Sequence, residues 1–591
     1  MSKLIRSGFL IVIFLIIAFS APAQVHLRIN QVGYLPEDQK TAIAFSNQRL
    51  NRSFSLINQE GEQVYKGKAQ PYQQDHWGAF NNYYYLDFSD LKHEGTYRLI
   101  VSGDTSHYIK ISNELYHTIH QDLLIFMRQQ RCGYNPFLDL VCHQRDGKSF
   151  FGMLPDSTFL DASGGWHDAG DQLKYLMTSS FATAAMLKAY QLRPELFADS
   201  VNDLGQPFAN QIPDVLDEAK WGLDWIHKLH PSPGQLYHQI ADDRDHRGWK
   251  WPDQDVSDYG WGENSYRPVY YATGETQGLN IYKSEANGIA NLAGRSAAAL
   301  ALGYQVLSKF DSEEPYAEKS LQTAIDLYEA GREKEGYQQG NSFGAPYRYM
   351  ESTWADDMEW AAAELYLATG QQEYLEQAKS YAEQIGSTSW MILDSAAHYE
   401  YYPFINLGHF VLYPLVEDEF KEKLAGYYRQ GIEYVLQKSK KELYGIGIPM
   451  IWCSNNLMTA LISQIRLYEM MTGDTRYRNL LVQHRDWLLG RNPWGTSMFM
   501  NIPADGEYPQ DVHTSVWKLT GREVPGGLVD GPIWKTIHSQ LKGLLLAQPD
   551  EFKEFQNDYL VYHDDIGDYA TNEPTMDGTA GAILMMVLLN Y

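Results

Sequence analysis

Cysteine is nearly missing from this chain. Cys132, Cys142 and Cys453 are the three present in 591 residues, far too few for a disulfide framework, so stability must rest on burial. Positive charge is scarce as well: 48 Lys and Arg against 74 Asp and Glu leave a net charge of −26. Such a surface repels a phosphate backbone or anionic headgroups, which excludes nucleic acid and membrane surfaces as expected partners. Beyond the amino terminus no apolar run is long enough to cross a bilayer. Charged residues at 21% and hydrophobic residues at 44% exclude a disordered or fibrous chain.

The amino terminus carries Lys3 and Arg6, an apolar run from Gly8 to Phe19, and then Ala21-Pro22-Ala23. Charged, apolar and small residues in that order predict a secretory signal peptide over 1–23, and hence an exported protein, periplasmic or secreted. An uncleaved anchor is the competing expectation, and the shortness of the run opposes it. With the signal removed, no membrane association is expected.

From 24 to 112 the pattern is short alternating runs, among them Thr41 to Phe45, Phe54 to Ile57, Tyr83 to Phe88 and Thr96 to Val101, separated by turn residues. This predicts a β-sandwich of immunoglobulin-like size. From 113 to 591 the period becomes helical, with segments near 114–131, 172–192, 213–229, 286–308, 314–331, 354–369, 372–386, 417–438, 455–472, 475–489 and 575–590, and almost no strand. No repeating period in the residues supports an open solenoid, so a closed ring of helical hairpins is the expectation. The long stretches 231–282 and 490–531 read as functional loops.

Aromatic residues make up 14% of the chain, and such rings can stack on the apolar faces of sugars. Two segments concentrate chemistry. Gly164-Gly165-Trp166-His167-Asp168-Ala169-Gly170-Asp171 places two carboxylates where a helix is expected to begin, a position that favours the ionised form of an acid. Simple capping by Asp171 is the alternative, but capping would not require His167 and three glycines. Near the other end, Tyr562 to Pro574 holds Glu573 in a stretch containing Asp564, Asp565 and Asp568, whose like charges would keep one carboxyl protonated. Gly340-Asn-Ser342-Phe-Gly344 fits G-x-S-x-G, but the required strand before and helix after it are not expected.

These two segments, together with Leu489-Gly-Arg-Asn-Pro493, resemble the family 9 glycoside hydrolases, largely endoglucanases. The opening Leu27-Arg-Ile-Asn-Gln-Val-Gly-Tyr34 is similar to the start of the immunoglobulin-like module that precedes many of their catalytic domains. The resemblance implies a mainly α protein, an (α/α)6 barrel behind the sandwich, that inverts at the anomeric carbon while cleaving β-1,4-glucosidic bonds of cellulose-like or related β-glucans. It implies Asp171 as general base, Asp168 as its aid in holding water, and Glu573 as general acid. His246, Trp249 and Trp452 resemble cleft-lining positions, with buried structural Trp as the alternative, and His513 is the single candidate for a cluster that the family usually builds from more residues. That departure leaves open an exo-acting relative, such as an exo-glucosaminidase or cellodextrinase. A non-catalytic sugar-binding protein is a further class, which the three carboxylates oppose.

Two thiolates and two imidazoles, Cys132, Cys142, His143 and His167, suit a closed structural zinc site, as in many members that resemble this chain. A Cys132 to Cys142 disulfide is the alternative. The resemblance also points to Ser352, Asp356 and Asp357 as calcium ligands, with solvated charge at a helix start as the competing account.

Overall fold

The computed structural model describes residues 24–72, 77–393 and 396–590; the expected signal peptide lies outside the described residues. Residues 26–111 form the sandwich. Its strands are β1 (His26–Arg28), β2 (Thr41–Ser46), β3 (Ser53–Ile57), β4 (Gln63–Lys68), β5 (Gln70–Tyr72), β6 (Asn82–Asp87), β7 (Gly95–Val101) and β8 (Asp104–Ile111), in two antiparallel sheets ordered β1-β2-β6-β5 and β4-β3-β7-β8. Because side chains alternate along a strand, Ala42 and Ala44 of β2 enter the sandwich core while Ile43 and Phe45 join the much larger core of the following body. One sheet is thus buried on both faces. Polar contacts fix this junction: Arg28 Nε donates to Pro493 O at 2.8 Å, Asn30 Nδ2 to Asp486 Oδ1 at 2.8 Å, and Trp77 Nε1 to Phe555 O at 2.9 Å.

The remainder is a closed (α/α)6 barrel. Its outer helices are α1 (Ile119–Gln129), α3 (Asp214–Leu229), α5 (Glu314–Glu333), α7 (Gln372–Ile385), α9 (Asp418–Ser439) and α11 (Arg478–Leu488), and each leaves one polar face in solvent. Between them in sequence lie the inner helices α2 (Leu176–Leu192), α4 (Ala290–Leu307), α6 (Ala355–Thr369), α8 (Leu407–Leu412) and α10 (Ser454–Thr472), followed by the C-terminal helix Met576–Leu588. Helices α2, α4 and the C-terminal helix are rich in small residues and buried almost all round, as a helix with no polar stripe must be. Each inner helix packs on the next, and the C-terminal helix closes the ring between α10 and α2.

Two expectations are corrected. The barrel region is not free of strands: 146–150, 267–271, 237–240 and 174–175 form a four-stranded mixed sheet, partly inside the stretch read as a loop over 231–282. Its strands, such as Tyr237–Ile240 and Arg267–Tyr271, are covered on both faces and carry buried polar residues, so no alternation advertises them. Helix α8 was not expected either. Six residues are too few to develop a period; Asn406 starts it by accepting from His409 N at 3.1 Å.

Candidate active site

The segment before Asp171 is shaped by buried anchors. Gly165 has φ +71°, and a Cβ there would stand 2.6 Å from the Trp225 ring, so a larger residue is excluded. Trp166 Nε1 donates to Glu218 Oε1 at 2.8 Å, Lys174 Nζ to Gly164 O at 2.8 Å, and Gln130 Nε2 to Ala169 O. The following helix begins at Leu176, not at 172, because Lys174 and Tyr175 first pair with Ile240 and Gln239. Asp171 is therefore not a helix cap, and the macrodipole argument for its charge does not apply. Its Oδ1 accepts from Leu173 N at 3.0 Å, and its Oδ2 lies 3.3 Å from His246 Nε2. Burial disfavours charge on His246, yet the Asp171 carboxylate overrides it and raises the imidazole pKa.

Asp168 is 2% exposed, and its two oxygens accept from Thr178 Oγ1 and Tyr349 OH. Burial, and then the charges of Asp577 and Asp171, push its pKa well above the usual carboxylate range. The expectation that both aspartates stay ionised thus fails for Asp168, because the site is dry and crowded with acids. Beneath it a stack continues, Tyr349 on Tyr399 at 4.2 Å, with Tyr399 OH donating to Asp577 at 3.1 Å.

Glu573 comes to this place from 403 positions away, where its Oε1 accepts from Gly170 N at 3.0 Å. Gly170 has no room for a side chain: a Cβ would lie 2.0 Å from His513 O and 2.8 Å from Glu573 Oε1. The Glu573 pKa is raised well above its ordinary value, first by burial and then by Asp171 and Asp530. The direction agrees with expectation, but the neighbours do not. Asp564 accepts from Gln510 N, Asp511 N and Asn572 Nδ2, Asp565 from Ala547, Gln548 and Gly567 N, and Asp568 is bound by His538 and His563. Those three carboxylates shape the turn, while the charges that act on Glu573 come from elsewhere in the fold.

Half-buried rings, together with the exposed His246, line the surroundings. His246 meets Tyr347 at 4.9 Å, Trp249 meets His513 at 4.7 Å, and Trp452 lies flat on His398 at 4.9 Å with Tyr569 at 5.7 Å. The four expected positions His246, Trp249, Trp452 and His513 therefore gather around Asp171 and Glu573. Trp452 Nε1 donates to Asp530 Oδ2 at 2.8 Å, and Asp530 N donates to Glu573 O at 2.9 Å. Asp530, Tyr347, Tyr349 and His398 were missed by sequence reasoning, since each sits in a loop with no motif of its own. Arg522, the first arginine after His513 in the sequence, stays outside, 3.9 Å over the Phe137 ring. The G-x-S-x-G stretch has neither strand nor helix beside it, and Ser342 Oγ donates to Tyr347 O.

Cys132, Cys142, His143 and His167 offer donor atoms within 4.8 Å of one another, and both thiols are free rather than bridged. Asp255 Oδ2 lies 3.4 Å from His143 Nε2, a carboxylate behind the ring that leaves Nδ1 for the cluster, 3.3 Å from His167 Nε2. This donor set fits a soft or borderline cation. The calcium expectation does not fit. Arg295 spans both Asp357 oxygens at 2.9 and 2.6 Å and also binds Glu351, so a guanidinium already supplies the cation. Ser352 Oγ is 3.5 Å from Glu400 O, and Asp356, its pKa raised to about 7 chiefly by burial, keeps one unpartnered oxygen.

Residues 116–586 match the family described as Glycosyl hydrolase family 9, and residues 23–106 match the Cellulase N-terminal ig-like domain. Endoglucanase C of Cellulomonas fimi is 25% identical over 93% of this chain, which spans 50% of that longer protein. A xyloglucan-specific endo-beta-1,4-glucanase of Bacteroides ovatus is 25% identical over 95% of this chain and 92% of its own. Among solved structures, a metagenome-derived glycoside hydrolase family 9 endoglucanase superposes with a TM-score of 0.74 at 26% identity, covering 96% of this chain and 99% of that one. With a family match running through nearly the whole barrel and both carboxylate segments inside it, this chain belongs to glycosyl hydrolase family 9.

Proposed function

We propose that the protein hydrolyses β-1,4-glucosidic bonds of cellulose-like or related β-glucans by a single displacement that inverts the anomeric carbon. The observation that carries this reading is the Gly170 N–H donating to Glu573 Oε1 at 3.0 Å, which joins the two distant carboxylate segments into one site. With Oε1 engaged as an acceptor, the proton of a neutral Glu573 resides on Oε2, free to pass to the glycosidic oxygen as the bond to the leaving sugar breaks. Asp171 takes a proton from the water that attacks the anomeric carbon from the opposite face. Its oxygens are steered by Leu173 N and His246, which fixes the plane of the carboxylate. Asp168, held by Thr178 and Tyr349, positions that water and does not compete as the base, because its environment favours the protonated form. Trp249, Trp452, His246 and His513 supply stacking faces and polar tips for the sugar units.

Cys132, Cys142, His143 and His167 would hold a structural zinc, with Asp255 orienting His143. Such an ion ties the segment after α1 to His167, the residue before Asp168, and takes no part in bond cleavage. The extended family setting and the amino-terminal pattern support export to the periplasm or medium.

The deciding experiment is hydrolysis of cellohexaose and xyloglucan oligosaccharides followed by proton NMR of the first product. The α-anomer should appear first; the β-anomer would overturn the inverting reading. Internal cleavage into a ladder of products is expected, whereas release of single units alone would transfer the reading to an exo-acting enzyme.

A further inference from the structure

Apart from the thiolate cluster, a second set of metal-type donors converges among the described residues. His538, His563 and Asp568 each offer one donor atom, and these lie within 4.8 Å of one another, contributed by the short helix Lys535–His538, the segment after the strand Leu560–Val561, and the turn that leads to Glu573. We propose that these three residues form a second, open cation site that takes a divalent transition metal of the zinc or nickel class.

The carboxylate is already oriented for this. Asp568 Oδ1 accepts from Ala570 N at 3.0 Å and Thr571 N at 3.1 Å, which turns Oδ2 toward both rings. Oδ2 lies 3.0 Å from His538 Nε2 and 2.6 Å from His563 Nδ1. Two imidazole nitrogens and one carboxylate oxygen aimed at one point suit zinc, nickel or iron rather than calcium or magnesium, which prefer shells of oxygen. A ligating ring must hold its remaining proton on the other nitrogen. For His563 that nitrogen faces Asp550 Oδ2 at 3.8 Å, too far for a hydrogen bond but on the side where an outer carboxylate of a ligating histidine stands.

Access is also provided, since the His538 side chain is 16% exposed whereas Asp568 is fully buried. An ion at about 2.0 to 2.1 Å from each nitrogen would spread the donors by roughly half an ångström, within the reach of a partly exposed ring on a one-turn helix. Three protein ligands leave a coordination position for water. Binding would tie helix 535–538 to the turn five residues ahead of Glu573. The competing arrangement is a carboxylate that merely accepts two N–H groups, with no ion.

The experiment strips the full chain with a chelator, dialyses it against zinc, removes free metal and counts bound ions by elemental analysis. The criterion is a difference of one ion between the parent and His538→Ala, whatever the thiolate cluster holds. Cys142→Ser, which alters only the other cluster, should preserve that difference. Adding nickel should raise the melting temperature of the parent and of Cys142→Ser but not of His538→Ala. The metal-dependent increment is read, so any intrinsic loss of stability in the variant cancels. Equal ion counts in the parent and His538→Ala, or an undiminished nickel increment in the variant, would leave only the shared hydrogen bonds and overturn the proposal.

Discussion

Gly170→Ala is the sharpest test of the geometry that joins the two carboxylate segments of the proposed site. The added carbon would stand 2.0 Å from His513 O, and ordinary contact begins at 3.4 Å, so 3.4 − 2.0 = 1.4 Å must be found. His513 cannot easily yield it: its N donates to Asn572 O at 3.0 Å and its Nδ1 lies 2.6 Å from Ile566 O. Any retreat therefore drags Asn572 and its neighbour Glu573, while the same carbon presses on Glu573 Oε1 from 2.8 Å. Misplacing a reacting group by about 1 Å costs on the order of 10²-fold in rate, and overpacking of this kind costs about 1 to 3 kcal/mol of stability. The assay is kcat/KM on a cellodextrin, compared with an aryl cellobioside whose good leaving group needs little protonation. The loss should be larger on the cellodextrin, because acid assistance is what Glu573 supplies in the proposed mechanism. Activity within about threefold of the parent on both substrates, with an unchanged melting temperature, would refute this account of the glycine.

Glu573→Gln and Asp171→Asn should each lower turnover of natural substrate by about 10² to 10⁴-fold with circular dichroism unchanged. Because the folded pKa of Glu573 lies above its unfolded value, its contribution to stability is present at low pH and lost as pH rises through the folded pKa; Glu573→Gln, always neutral, should therefore melt higher than the parent on the alkaline side. The descending limb of kcat/KM against pH should lie well above 4.5, the ordinary value for Glu, and a limb at that value would remove Glu573 as the acid. Cys142→Ser should lose one zinc per chain and melt lower, whereas a protein two hydrogens lighter than the reduced chain, with no zinc, would point to a disulfide. Arg295→Ala should cost about 3 to 5 kcal/mol by stranding Asp357 and Glu351 in the core, measured by urea unfolding.

The long helices were legible because the inner ring needs long apolar segments and the outer ring needs a 3.6-residue period, and both are written locally; the six residues of α8 were too few to show either. The sheet behind Asp171 was not, since its strands are short, polar and covered on both sides, and only distant pairing reveals them. Asp171 and Glu573 stood out through their motifs, yet the reasons offered for their charge states failed. Asp171 sits before a strand pair instead of a helix, and Asp564, Asp565 and Asp568 spend their oxygens on backbone N–H groups and histidines. What acts on Glu573 besides burial and Asp171 is Asp530, a residue 43 positions away, and no local pattern could have nominated it. Arg295 is similar: its commitment to Asp357 is a contact across two helices, and it removed a calcium site that the order of residues suggested.

The ring closes with its final helix, Met576–Leu588, every residue of which is buried. Synthesis delivers Asp171 402 positions before Glu573, so on the proposed mechanism no chain that stops short of Glu573 can cleave a glycosidic bond. Until that helix docks, α2 and α10 present apolar walls to water along an open seam, and the closing contact spans nearly the whole barrel in sequence, a slow kind of pairing. The interval between the synthesis of that helix and the closing of the seam is when the chain should be most exposed to proteases and to its own copies. Conditions that lengthen that interval should lower the yield of soluble enzyme without altering the activity of the molecules that finish folding.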